Sequence, residues 1–234
     1  KTAFALNEYS YIDFEGLDES KRAYFKLNKG FTDYEDSIWS VYSYPKDNGE
    51  VGGTAIKIKR NGGKEVASYV SAYFDIMKPG IHGCYYTPPK EVTEYSSAIL
   101  GENSAHISFD IFTNYGIYFL MAQKELVRQI IDELLPDPII KSKDLPTTAR
   151  VSLAKKQNYD ILHVKVTYPE HRNFRAIIEE HNILEEGKEL FVKGNYCKAQ
   201  VVPYNKTLKV CYEDGYTKII LPRIVGYDMI KLDK

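Results

Sequence analysis

The sequence predicts a mixed α/β unit over residues 1–143 followed by a small antiparallel β-sandwich over residues 144–234. Three observations predict it. Ile117, Leu120, Val127, Ile130, Ile131 and Leu134 recur at helical spacing. That run stops at Leu135-Pro136-Asp137-Pro138, because proline has no N–H to continue a helix ladder. From Leu145-Pro146-Thr147-Thr148 onward only strand-like alternation follows.

Taken in order, residues 1 to about 50 are rich in Tyr, Asp and Lys with weak periodicity and predict loops and short helices. Ala55-Ile56-Lys57-Ile58-Lys59 and Val66-Ala67-Ser68-Tyr69-Val70 flank Asn61-Gly62-Gly63, where positive φ comes readily, and predict a hairpin. The segment from Lys78-Pro79-Gly80 through Cys84 to Thr87-Pro88-Pro89 is too stiff for a helix and too broken for a central strand. Ala105, Ile107, Phe109 and Ile111 then alternate with His106, Ser108 and Asp110, as a half-buried strand requires. A helix over about 117–135 closes the unit. The last third offers strands at 149–154, 161–168, 176–178, 190–192, 198–202, 208–212, 216–221 and 225–232, with Glu213-Asp214-Gly215 as a tight-turn signature between the sixth and seventh.

The totals bound function more by exclusion. With 31 basic and 32 acidic residues the net charge is −1, so no positive excess exists to neutralise a phosphate backbone or an anionic bilayer; neither nucleic acid nor membrane is a predicted partner. No apolar run approaches membrane-spanning length. Tyrosine is abundant, 20 against 10 phenylalanines and one tryptophan, Trp39, and suits both sheet packing and sugar-contacting surfaces. Three cysteines, Cys84, Cys197 and Cys211, without C-x-x-C spacing, fit a reduced, cytoplasmic setting better than a disulfide scaffold. Asn205-Lys206-Thr207 matches a glycosylation acceptor of a length that chance supplies.

No residue is assigned a catalytic role. Gly83-Cys84-Tyr85 lacks the second glycine of a nucleophile elbow and runs into Pro88-Pro89 rather than a helix; Pro169-Glu170-His171 falls beyond the domain boundary. His82, His106, His163, His171 and His181 are dispersed, with no i, i+4 pair to share a helical face, so neither a metal nor another cofactor is predicted. Glu179-Glu180 and Glu185-Glu186 read as solvated charge.

The order of elements carries a resemblance. The Leu134-Leu135-Pro136 helix end, Leu145 to Leu153, His163-Val164-Lys165-Val166-Thr167-Tyr168-Pro169-Glu170-His171-Arg172, Glu213-Asp214-Gly215 and Pro222-Arg223-Ile224-Val225-Gly226-Tyr227-Asp228-Met229 together resemble the tail of family-42-like β-galactosidases. The resemblance implies an N-terminally truncated, amidotransferase/flavodoxin-like trimerisation domain followed by a C-terminal β-sandwich. It implies that the catalytic barrel lies upstream of Lys1, and that the partners are that barrel and further copies of the chain in a homo-oligomer, a trimer. It also implies that a loop of the trimerisation domain can approach the barrel's mouth, where His82, Tyr85 and Tyr86 would offer an imidazole beside aromatic faces, close to substrate. The reading is therefore a non-catalytic accessory region of a sugar-cleaving enzyme. The alternatives are a stand-alone carbohydrate-binding module, with carbohydrate as partner, or an amidotransferase-like enzyme dependent on Cys84.

Overall fold

A computed structural model describes residues 11–18, 22–30, 37–42, 44–45, 51–52, 55–74, 87–142, 144–167, 171–173, 176–177 and 182–234. The chain divides into two compact units, Lys1–Pro136 and Asp137–Lys234. The dividing point precedes the expected 143/144 boundary because Ile140 and Lys141 already pair with Val192 and Phe191 of the second unit.

The first unit carries strands β1 (Ile12–Leu17), β2 (Arg22–Leu27), β3 (Ile38–Tyr42), β4 (Tyr44–Pro45), β5 (Val51–Gly52), β6 (Ile56–Arg60), β7 (Lys64–Ala72), β8 (Pro89–Leu100) and β9 (Ala105–Ile107), then helices α1 (Ile111–Tyr118) and α2 (Met121–Leu134). A five-stranded sheet runs β3-β2-β7-β8-β9, while β1 pairs with β6 and β4 with β5. Ala122, Leu126 and Ile130 lie four residues apart on one face of α2, and they bury against Phe25 and Leu27 of β2, Val66 and Ala67 of β7 and Ala98 of β8. The Phe25 and Phe109 rings stack at 5.3 Å between centroids. Alternation along β8 divides the cores, since Ala98 and Leu100 join this cluster while Ile99 joins Ile12 and Ile58 of the β1–β6 ribbon.

Several expectations are corrected here. The amidotransferase/flavodoxin-like α/β part is not shown: among the described residues every pairing in the first unit is antiparallel, and strands dominate where loops and short helices were expected before residue 50. The physical reason is non-local pairing, for β1 finds its partner 39 to 48 residues away at β6 and the local pattern carries no trace of it. The hairpin across Asn61-Gly62-Gly63 does not form. The chain turns there, but β6 pairs with β1 whereas β7 pairs with β2 and β8, because Ile58 buries against Ile12 and Ile99. The strand expected through Ile111 ends at Ile107, and Asp110 instead caps α1, its carboxylate accepting from the Thr113 N–H at 3.2 Å. The single helix over 117–135 is two helices, separated where Phe119 takes a left-handed conformation (φ 55°) and its N–H donates to the Tyr115 carbonyl.

The second unit is an antiparallel sandwich. Its strands are β10 (Ile140–Lys141), β11 (Ala149–Lys155), β12 (Tyr159–Val166), β13 (His171–Asn173), β14 (Ala176–Ile177), β15 (Ile183–Leu184), β16 (Glu189–Lys193), β17 (Lys198–Val202), β18 (Lys206–Leu208), β19 (Val210–Glu213), β20 (Tyr216–Ile220), β21 (Ile224–Val225) and β22 (Tyr227–Asp233). A five-stranded sheet β11-β12-β22-β17-β18 faces a four-stranded sheet β10-β16-β20-β19 across a core that includes Leu162, Val164, Leu190, Val192, Ile219 and Leu232. Leu162, Val164 and Val166 share the buried face, as their alternation predicts. Asp214 (φ 49°) and Gly215 (φ 84°) form the two-residue turn between β19 and β20, both in the left-handed region that this turn demands. Two expected strands each split between sheets: 208–212 changes sheet at Lys209, and 225–232 breaks at Gly226 (φ 74°).

Candidate functional site

The residues singled out from sequence, His82, Tyr85 and Tyr86, lie outside the described residues, as do Cys84 and His181. Elsewhere the structure separates what the sequence could only list. His163 and Tyr227 meet on the exterior of the sandwich, His163 Nδ1 lying 2.6 Å from the Tyr227 hydroxyl with the rings nearly parallel. His106 is partly buried, and burial holds its imidazole below the usual histidine range. Among the described residues no group of three or more His, Cys, Asp or Glu side chains could hold a metal ion.

Instead, a cleft of about 280 Å³ opens in the first unit, lined by residues from four strands or strand ends. Asp18 follows β1 and is only 6% exposed; its N–H donates to the Ala55 carbonyl at 2.8 Å, which fixes the end of β1 beside β6. Lys57 comes from β6, and its ammonium lies 5.9 Å from the centroid of the Tyr95 ring. Lys59, two residues on, lies 5.7 Å from the same ring and is paired at 2.9 Å with Glu94, which raises its ammonium's pKa. Tyr69 and Ser71 come from β7, Thr93 and Tyr95 from β8, and Phe74 stands at the lip.

The backbone explains why these side chains converge. Between Ser68 and Ala72 the pairing of β7 with β8 slips repeatedly, from Ser68↔Ser96 to Val70↔Val92 to Ala72↔Pro89. Such bulges leave residues of the longer strand unpaired and re-aim their side chains, and here the freed residues include Thr93 and Tyr95. Local hydrogen bonds hold the distortion: Thr93 Oγ1 donates to the Tyr69 carbonyl at 3.0 Å and accepts from the Tyr95 N–H at 3.2 Å, and Ser71 Oγ donates to the Glu91 carbonyl at 3.3 Å. Tyr69 is 4% exposed, and its hydroxyl is buried with no hydrogen-bond partner among the described residues.

A second cleft of about 280 Å³ lies in the sandwich, around Lys141, Phe191, Asp214 and Tyr216. Its polar groups are consumed internally. The Tyr216 hydroxyl donates to the Asp137 carboxylate and lies 2.7 Å from the Pro138 carbonyl, the Lys141 ammonium sits 3.8 Å over the Tyr216 ring, and Ser142 Oγ donates to the Glu189 carbonyl at 2.7 Å. The hydrogen bond to Asp137, together with burial, pushes the Tyr216 hydroxyl up to about 12. This cleft is a braced corner, whereas in the first the Tyr69 hydroxyl has no partner among the described residues.

Chemically the first cleft can hydrogen-bond and stack. Among the described lining residues Asp18 is its single carboxylate, so these residues do not supply the pair that glycoside hydrolysis uses. Sequence reasoning missed it because its members are spread from residue 18 to residue 95; the abundance of tyrosine was the one available signal.

No family model matches the chain, and no curated protein matches it. Among solved structures, the α-L-fucosidase isoenzyme 2 from Paenibacillus thiaminolyticus is similar over 96% of this chain and 34% of its own, with a TM-score of 0.80 and 17% identity, a likeness of fold. The chain thus spans about a third of that enzyme's length. A β-galactosidase from Bacillus circulans sp. alkalophilus (TM-score 0.45, 12% identity, covering 97% of this chain and 25% of that one) and a GH42 β-galactosidase catalytic mutant from G. stearothermophilus (0.48, 9%, 98% and 24%) also match, at scores too low to carry an argument.

Proposed function

We propose that this chain is a non-catalytic accessory region of a glycoside hydrolase. In this reading the first unit serves oligomerisation, the second is a C-terminal β-sandwich, and the catalytic barrel belongs to sequence outside this chain. The observation that carries the reading is the fold likeness at a TM-score of 0.80, which takes in 96% of this chain but only 34% of a fucosidase. About two thirds of that enzyme's length has no counterpart in this chain. The abundance of tyrosine and the polar, aromatic cleft support a role close to carbohydrate.

Association with further copies is supported by the apolar surface of the first unit, and the reading takes the assembly as a trimer. Phe112 is 74% and Ile131 53% exposed, beside a groove of about 410 Å³ lined by Ile107, Phe109, Val127 and Leu134. A cytoplasmic location is supported by Cys197 and Cys211, which are free thiols in the structure. Within this reading His82, Tyr85 and Tyr86 stand near the barrel's substrate. Alanine at His82 in the full-length parent lowers sugar turnover; unchanged kinetics removes the assignment.

The decisive experiment assays the 234-residue chain and the protein extended by its upstream coding sequence on nitrophenyl glycosides, with light scattering of both. The isolated chain is expected to be inert and the extended protein active, at a mass three times that of one copy. Turnover by the isolated chain, lost on changing one of its own side chains, overturns the accessory reading. A stand-alone carbohydrate-binding module is the second reading, favoured by the cleft alone; it holds if the extended protein is inert and the isolated chain binds glycans selectively on an array.

A further inference from the structure

We infer that the cleft formed by Asp18, Lys57, Tyr69, Ser71, Thr93 and Tyr95 is a binding site for one neutral sugar residue. This goes beyond the accessory reading and stands on its own geometry.

Size comes first. At about 280 Å³ the cleft falls at the small end of ligand pockets, room for a single ring rather than a chain of them. Chemistry narrows the class. A pyranose presents an apolar C–H face and a rim of hydroxyls, each both donor and acceptor. The cleft offers aromatic surface from Tyr95 and from Phe74, which is 42% exposed, together with the Lys57 ammonium and the hydroxyl oxygens of Ser71 and Thr93, whose protons go to backbone carbonyls and whose remaining lone pairs can accept. Charge narrows it further. One carboxylate and one ammonium cancel, so the lining residues give a phosphate or an organic acid little net attraction, and Lys57 opposes a cation.

Two independent observations mark the site as built rather than incidental. The pairing of β7 with β8 slips repeatedly along its length, and where it lines the cleft the slip from Ser68↔Ser96 to Val70↔Val92 turns Thr93 and Tyr95 out of the regular ladder. The Tyr69 hydroxyl is a buried donor with no partner among the described residues, an arrangement whose desolvation cost native proteins rarely leave uncompensated. A sugar hydroxyl entering beside Ser71 and Thr93 supplies that partner after a small movement of the ring.

The test is calorimetric titration of the full 234-residue chain with D-glucose, D-galactose, D-mannose and L-fucose, each up to roughly 50 mM, with inorganic phosphate as control. At least one sugar is expected to bind with a Kd on the order of 1–10 mM, as befits a small ligand with few contacts. Tyr95→Ala is expected to weaken it at least about tenfold. Tyr69→Phe separates a ligand contact from a structural orphan: it lowers affinity about tenfold while the melting temperature stays level or rises, because a buried unsatisfied hydroxyl has been removed. If Tyr95→Ala does not fold by circular dichroism, Lys57→Gln, at a partly exposed strand position, replaces it with the same expected loss. Silence with all four sugars overturns the proposal, as does binding that both substitutions leave intact, or binding of phosphate alone. Sugar binding without hydrolysis supports both readings, whereas hydrolysis by the isolated chain overturns only the accessory one.

Discussion

Replacing Tyr196 by Phe removes one hydroxyl from the core of the second unit and leaves the ring in place. That hydroxyl donates at 2.6 Å to the Oδ2 of Asp160, a carboxylate only 1% exposed. The other carboxylate oxygen accepts from the Lys156 N–H at 2.9 Å and from the Lys234 ammonium at 2.9 Å. Burial pushes the Asp160 carboxyl up, but the hydrogen bonds from Tyr196, Lys156 and Lys234 outweigh it and hold the group below the ordinary aspartate range. Burial, with the carboxylate, also pushes the Tyr196 hydroxyl far above its ordinary value, so it remains a donor at any working pH. A hydrogen bond to a charged group contributes about 1.5–3 kcal/mol, and the Lys234 pair, 42% exposed on the lysine side, compensates for little of its loss. Tyr196→Phe is therefore expected to cost about 2 kcal/mol at pH 7, a fall of roughly 4–8 °C in melting temperature for a chain of this length.

The pH dependence follows from the depressed carboxyl. Its contribution is fully present above the unfolded value of about 4 and is lost as the pH falls through the folded value. The variant carries less of it, so the gap between wild type and Tyr196→Phe narrows as the pH is lowered from 7 towards 2. Thermal melts followed by circular dichroism across that range measure both effects. A variant as stable as wild type at pH 7, or a gap that does not change with pH, refutes the reasoning.

Three further perturbations follow from the packing. A Cβ at Gly101 meets the Tyr11 ring at 2.0 Å, so Gly101→Ala is expected to cost about 1–3 kcal/mol in urea unfolding, and much of that returns when Tyr11→Ala is added. Asp110→Ala removes the cap of α1 and costs about 1 kcal/mol in the same assay, while Asp110→Asn costs less. Leu126→Ala, at a fully buried position facing the five-stranded sheet, costs about 2–5 kcal/mol, and a loss below 1 kcal/mol refutes the packing described for α2.

What could be read locally was read from the sequence alone. Leu162, Val164 and Val166 alternate because a strand repeats every two residues, and that suffices to put them inside a sandwich without knowing their partners. Pro136 stops a helix wherever it stands, and Asp214-Gly215 makes its turn from two residues. Tertiary structure decided everything that depends on which faces meet. Ile58 alternates identically whether β6 pairs with β7 or with β1, and only burial against Ile12 and Ile99 selects the second. The cleft likewise gathers Asp18, Lys57, Tyr69 and Tyr95 through slips in strand register, and the Tyr196–Asp160 bond spans 36 residues. Register and sheet membership are settled by the sum of many weak contacts between distant segments, and a period of two or of 3.6 residues holds no record of that sum.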